Sequence, residues 1–184
     1  MRLKIMLTLM PLLMLNFTVA RADETNAGTI HFTGEIVNPS CKIAGDSGTD
    51  STVYLGSYSP SYFTGGVTKS DDTPFTITLT GCPLATTGLD HVQLTFKGTV
   101  ISGHDELLAL IAGGASGVGI SVSTETDPTV DLDMTGKDGQ TSIPLPSTAS
   151  DINLNMLARY ESYDSTPITP GDAKADMTVN ILYR

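Results

Sequence analysis

Three histidines, one serine in a glycine-rich run, a string of carboxylates and two cysteines are the residues of this chain that could do chemistry. His31, His91 and His104 are too scattered for a metal site. They form no H-x-H or H-E-x-x-H spacing, and a copper/zinc sandwich enzyme would need a larger histidine cluster. Ser116 lies in Gly113-Gly114-Ala115-Ser116-Gly117-Val118-Gly119. That run resembles a nucleophile elbow or a phosphate loop. The G-x-S-x-G frame is not met and no helix is predicted to follow, so the run is read as a loop. Glu125 and Asp127, then Asp131 and Asp133, alternate along the chain. They could attract a cation, but EF-hand spacing is absent and the reading is a solubilising acidic surface. No catalytic residue, metal ligand or cofactor site is expected, and the chain is read as a non-enzyme.

Cys41 and Cys82 are the two cysteines. An even count in an exported chain favours a disulfide, and a pair of metal ligands is the rival. Two thiols without a nearby histidine or a second cysteine pair do not complete a zinc site. A loop of this size, once closed, would stabilise by roughly 4 kcal/mol on the chain-entropy account.

Export itself is read from the first residues. Met1-Arg2-Leu3-Lys4 is basic, residues 5–17 are mostly apolar, and Ala20-Arg21-Ala22 is a small-x-small triplet. This order predicts a secretory signal peptide over residues 1–22. The apolar run is short of the roughly 20 residues that span a bilayer. Cleavage removes Arg2, Lys4 and Arg21, so the net charge moves from −10 to −13. Such an acidic chain is a poor partner for nucleic acid or for an anionic membrane surface.

The elements that must position these residues are strands. Thr, Val, Ile and Tyr recur in short runs between Gly, Asp, Ser and Pro clusters. They predict strands over 29–37, 53–58, 74–80, 91–100, 119–125, 141–145, 151–161 and 173–183, with 106–111 a helical turn or a further short strand. Many short strands with turns at this spacing predict an all-β immunoglobulin-like sandwich. The two ends of the mature chain alternate strictly. Ile30, Phe32, Gly34 and Ile36 share one face against Thr29, His31, Thr33 and Glu35. Ala175, Met177, Val179, Ile181 and Tyr183 share one face against Asp176, Thr178 and Asn180, with Leu182 breaking the wet side. Period two means one apolar and one wet face on each strand. Two ordinary sandwich strands would read the same way.

At these ends the chain resembles the type 1 and P pilus subunit family. The segment Gly28-Thr29-Ile30-His31-Phe32-Thr33-Gly34-Glu35-Ile36-Val37-Asn38-Pro39-Ser40-Cys41 is similar to the family's G-x-V-x-F-x-G-x-V-V-x-x-x-C. Gly81-Cys82, Ala158-Arg159-Tyr160, Thr169-Pro170-Gly171 and a closing strand with Tyr183 next to last follow in the family's order. Arg184 departs from the family's more usual neutral last residue.

The resemblance implies an incomplete sandwich lacking its last strand, in a pilin domain over 23–184, completed by a strand donated from another polypeptide. It implies that residues 23–37 are the donor extension, with Ile30, Phe32, Gly34 and Ile36 entering a neighbour's groove. It implies an acceptor groove lined by Met177, Val179, Ile181 and Tyr183. A periplasmic chaperone would first fill that groove and hold the carboxylate of Arg184, an outer-membrane usher would assemble the subunits, and the product would be a surface fimbrium. A repeating shaft subunit is the expectation. A minor or adaptor subunit is the alternative within the family, and a stand-alone lectin-like sandwich is the alternative outside it.

Overall fold

The computed structural model describes residues 28–34, 36, 41–46, 48–163 and 167–184. The expected signal peptide lies outside the described residues. Contacts divide the chain into two units, residues 1–36 and 37–184. In the first, residues 28–34 and 36 carry no ladder, so the strand expected over 29–37 is not formed there. Glu35 and Val37, also part of that expectation, lie outside the described residues. Ile30, Phe32 and Ile36 are 78%, 92% and 101% exposed.

The second unit is all-β, with two sheets face to face. Its strands are β1 (Lys42–Ala44), β2 (Thr73–Thr80), β3 (His91–Gly98), β4 (Val100–Ile101), β5 (His104–Leu108), β6 (Val118–Thr124), β7 (Asp127–Asp131), β8 (Ile143–Pro144), β9 (Ile152–Ser162) and β10 (Met177–Tyr183). The larger sheet runs β1-β2-β9-β6-β5-β4, with β7 also paired to β6; the smaller runs β10-β3-β8. Every pairing is antiparallel. Only Thr99 separates β3 from β4, so there the chain steps from one sheet to the other.

Alternation explains the layers. Val92, Leu94 and Phe96 of β3 point inward and are fully buried, meeting Leu79, Ile120, Val122, Met156 and Ala158 of the larger sheet. On the outer face of β2 and β9, Thr76 and Thr78 donate hydroxyl hydrogen bonds to Asn155 (3.1 Å) and Asn153 (2.8 Å). Such cross-strand pairs hold the register that the apolar face requires. Where β8 is too short to continue the ladder, the buried Thr141 side chain takes over. Its hydroxyl accepts from the Leu94 N–H (2.9 Å) and donates to the Leu94 carbonyl (3.1 Å).

Three expectations need correcting. Residues 53–58 form no strand, although Val53 and Leu55 turn inward and Tyr54 outward as a strand would require. The sequence pattern specifies a face, but a ladder needs a partner, and none is present among the described residues. The strand expected over 173–183 begins only at Met177. The strand expected over 141–145 is only Ile143–Pro144. Of the two readings of residues 106–111, the short strand is the one found, as the end of β5 up to Leu108, with residues 109–111 beyond it. The sequence reading also missed β1, three residues long, and the 3₁₀ turn at Pro60–Phe63.

Cys41 and Cys82 form a disulfide, with Cα atoms 4.1 Å apart. It staples the start of β1 beside the end of β2, where Lys42 faces Thr80.

Candidate functional site

Most of the residues first singled out for chemistry have structural partners, while His31 is exposed. His91 pairs with Asp90 and His104 with Glu106, both at 3.0 Å. The Ser116 hydroxyl sits 2.7 Å from that of Thr169 on an exposed loop. Glu125 accepts a hydrogen bond from Asn155, and Asp127 accepts one from Thr129. Asp133 accepts the N–H and hydroxyl of Thr135, which hold its carboxyl below the usual range. Asp131 pairs with Lys69 and Arg159. Among the described residues, no group of three or more His, Cys, Asp or Glu could hold a metal ion.

Asp131 belongs to a buried polar network behind β9. The Arg159 side chain, 4% exposed, donates to Asp72 at 2.7 Å, to the Pro128 carbonyl at 3.2 Å and to Asp131. Lys69 bridges Asp131 (2.8 Å) and Glu161 (3.1 Å). Burial alone would lower the Lys69 ammonium, but these hydrogen bonds raise it. Ala158 and Tyr160, the neighbours of Arg159 on β9, turn to the opposite face, so the network backs the floor of the feature described next.

That feature is an open hollow of about 680 Å³ between the sheets. One wall is β10 and its approach, Ala175 to Val179. The other is residues 49–53 and Leu55 with Ile43, Ala44, Phe75 and Ile77. Leu108, Ile120, Val122 and Ala158 form the floor. Both long walls have unpaired backbone. Among the described residues β10 pairs with β3 alone, and residues 53–58 make no backbone hydrogen bond to another strand. Apolar floor residues beside two unpaired edges make a slot open to a further strand.

A second hollow of about 280 Å³ follows it. Its walls continue the first in sequence, residues 56–63 on one side and Ile168 to Ala173 on the other. Tyr58, Phe63 and Tyr160 form its aromatic side; Tyr58 meets Tyr160 edge-on at 6.1 Å. The Tyr160 hydroxyl donates to the Ala173 carbonyl at 2.9 Å, and burial with Tyr58 alongside raises that phenol's pKa. Gly56, with φ of 82°, makes the bend where the first wall passes from one hollow to the next.

The predicted acceptor residues divide between two environments. Met177 and Val179 line the larger hollow, while Ile181 and Tyr183 pack against the core beyond its end. The Tyr183 hydroxyl accepts the Cys41 N–H at 2.9 Å. Arg184 exchanges backbone hydrogen bonds with His91, both 3.1 Å, and its guanidinium pairs with Asp138 at 3.0 Å. The predicted donor residues Ile30, Phe32 and Ile36 are exposed. Gly34 has no positive φ, and a Cβ added there would meet nothing within 4 Å. Sequence reasoning missed the 49–63 wall as a site; the Val53/Leu55 alternation was its signal.

Comparison with known proteins gives a consistent result. The family profile described as "Fimbrial protein" matches residues 30–184. The chain is 33% identical over 162 residues to the S-fimbrial protein subunit SfaA of Escherichia coli O6:K15:H31, covering 86% of this chain and 84% of that one. It is 33% identical over 181 residues to a type-1 fimbrial protein A chain of Escherichia coli, covering 94% and 93%. A fimbrial subunit type 1 of Klebsiella pneumoniae is 32% identical over 179 residues, with 94% and 93% covered. Among solved structures, the P pilus rod subunit PapA superposes with a TM-score of 0.65 at 22% identity, covering 78% of this chain and 99% of that one. A chaperone–usher pilus structure gives 0.63 at 21%, covering 90% and 100%. These likenesses place the fold among immunoglobulin-like pilin sandwiches.

Proposed function

The chain belongs to the fimbrial protein family and is a structural pilus subunit rather than an enzyme, and from that premise we propose that it is a repeating shaft subunit joined to its neighbours by strand donation. Residues 23–37 of one copy insert into the slot between β10 and residues 53–58 of the next. The observation that carries this reading is the open hollow of about 680 Å³, floored by Leu108, Ile120, Val122 and Ala158, between two unpaired edges. The exposed Ile30, Phe32 and Ile36 supply the complementary apolar face. Burying each is worth about 1.5–3 kcal/mol, and the main-chain hydrogen bonds made to the unpaired edges add to this against the ordering cost of the arm. Before assembly, a periplasmic chaperone strand occupies the same slot, and an outer-membrane usher passes the subunit to the surface.

The direction of insertion follows from where the arm is rooted. Cys41 lies beside Tyr183, at the C-terminal end of β10. An arm leaving this end in a head-to-tail stack enters the next copy at the opposite end, beside Met177. Its N-terminus then points toward Tyr183, so it runs antiparallel to β10. Copies stacked this way never close on themselves, which produces an open fibre.

The test is thermal melting of the purified mature chain with and without a peptide of residues 23–37. Strand donation is expected to raise Tm by roughly 10 °C or more. An unchanged Tm, with a stable fold in the absence of peptide, would mean a self-sufficient sandwich and defeat the proposal.

A further inference from the structure

We propose that Met177 is a modification site, a methionine that hydrogen peroxide or a related hydroperoxide converts to its sulfoxide while the slot is open, and that the sulfoxide then blocks entry of an apolar strand. The blocking step rests on the strand-donation reading above and deepens it.

The expected mature chain carries three methionines, Met134, Met156 and Met177. Met134 and Met156 are fully enclosed in the core. Met177 differs from both. It opens β10, is only half-buried, and lines the open hollow of about 680 Å³. Other readily oxidised side chains are missing or protected. The chain has no tryptophan, and Cys41 and Cys82 are joined to each other, with no free cysteine among the described residues. A thioether reacts only where the oxidant reaches its sulfur, so the open chain directs the reaction to Met177.

The chemistry needs nothing beyond the peroxide. The sulfur of Met177 attacks one peroxide oxygen, an S–O bond forms and the O–O bond breaks. The sulfur gives up an electron pair and the peroxide leaves as water.

The product places a polar oxygen on a side chain that was apolar. In the open slot water can hydrogen-bond that oxygen. A strand closing the hollow strips the water away, and the floor of Leu108, Ile120, Val122 and Ala158 offers no side-chain donor in its place. A buried acceptor without a partner opposes closure. Conversely, a strand already seated covers the sulfur. Oxidation and strand entry therefore compete for Met177: an unassembled subunit is open to damage, and an assembled one is shielded.

The test treats the mature chain with hydrogen peroxide, alone and with the peptide of residues 23–37, which holds no methionine. Mass spectrometry follows the gain of one oxygen at each methionine, with Met134 and Met156 as internal references. In the open chain Met177 is expected to react roughly ten-fold faster than either, and the peptide to slow it by a similar factor. Equal rates at all three overturn the site. A peptide that raises Tm but leaves the Met177 rate unchanged overturns the shielding. The oxidised chain is expected to bind the peptide roughly ten-fold more weakly than the untreated chain. Met177→Leu keeps the bulk without the sulfur, and is expected to bind equally before and after peroxide. Met177→Gln, a polar stand-in for the sulfoxide, is expected to bind weakly with no peroxide at all. Undiminished binding by the oxidised chain, or the same loss in Met177→Leu, overturns the blocking step. Failure of the peptide to stabilise the untreated chain removes strand donation and the blocking step with it, while the rates in the open chain still decide the modification site.

Discussion

Arg159 shows how far a single residue reaches in this molecule. Its guanidinium joins β9 to Asp72, Pro128 and Asp131, segments remote in sequence, while its neighbours Ala158 and Tyr160 face the two hollows. Replacing one partner of a buried ion pair leaves the other charge uncompensated, at a cost of about 3–5 kcal/mol. Arg159→Leu is therefore expected to lower the stability of the peptide-complemented subunit by about 3 kcal/mol in urea unfolding; a loss below about 1 kcal/mol would mean that Lys69 alone satisfies Asp131. Thr141→Val is a second case. It keeps the side-chain shape but strips both hydrogen bonds from the buried Leu94 backbone, for an expected loss of about 1–3 kcal/mol. Neither role is visible in the sequence, because a lone Arg or Thr in a β-rich pattern carries no sign of which distant strand it will meet.

At the scale of elements, β10 does two jobs. Its first half lines the hollow, and its last residues hold Cys41, just before β1, through the Tyr183 hydroxyl, which accepts the Cys41 N–H. Tyr183→Phe keeps the ring and loses this one acceptor. It is expected to cost about 1 kcal/mol and to speed hydrogen exchange at the Cys41 amide, with fibre formation retained. The arm responds differently. Phe32→Glu is expected to leave a subunit that folds on its chaperone but builds no fibre, as seen by electron microscopy; fibres of normal length would exclude Phe32 as an anchor. The alternation of the arm, of β10 and of residues 53–58 was all legible in the sequence. The partner of each edge was not, which is why residues 53–58 read as a strand yet form none.

For the whole molecule, the disulfide and the slot act at different stages. Cys41–Cys82 closes a loop within one subunit, so Cys82→Ala is expected to reduce the yield of folded, chaperone-bound subunit, measured in periplasmic extracts, before any assembly step. In the proposed assembly the slot acts between subunits, and its occupancy is expected to set the Tm of the mature chain. Composition and residue order alone specified an acidic, all-β chain with two alternating ends, and predicted its export. They did so because hydrophobic period, turn residues and charge are local properties that each segment carries with it. Only the tertiary structure decided that the larger sheet ends beside an unpaired wall, that the space between the sheets divides into two hollows of unequal size, and that Tyr183 turns away from them to hold Cys41. These are matters of which distant segments meet. A β pattern states which face a strand buries and leaves open what lies along its edge.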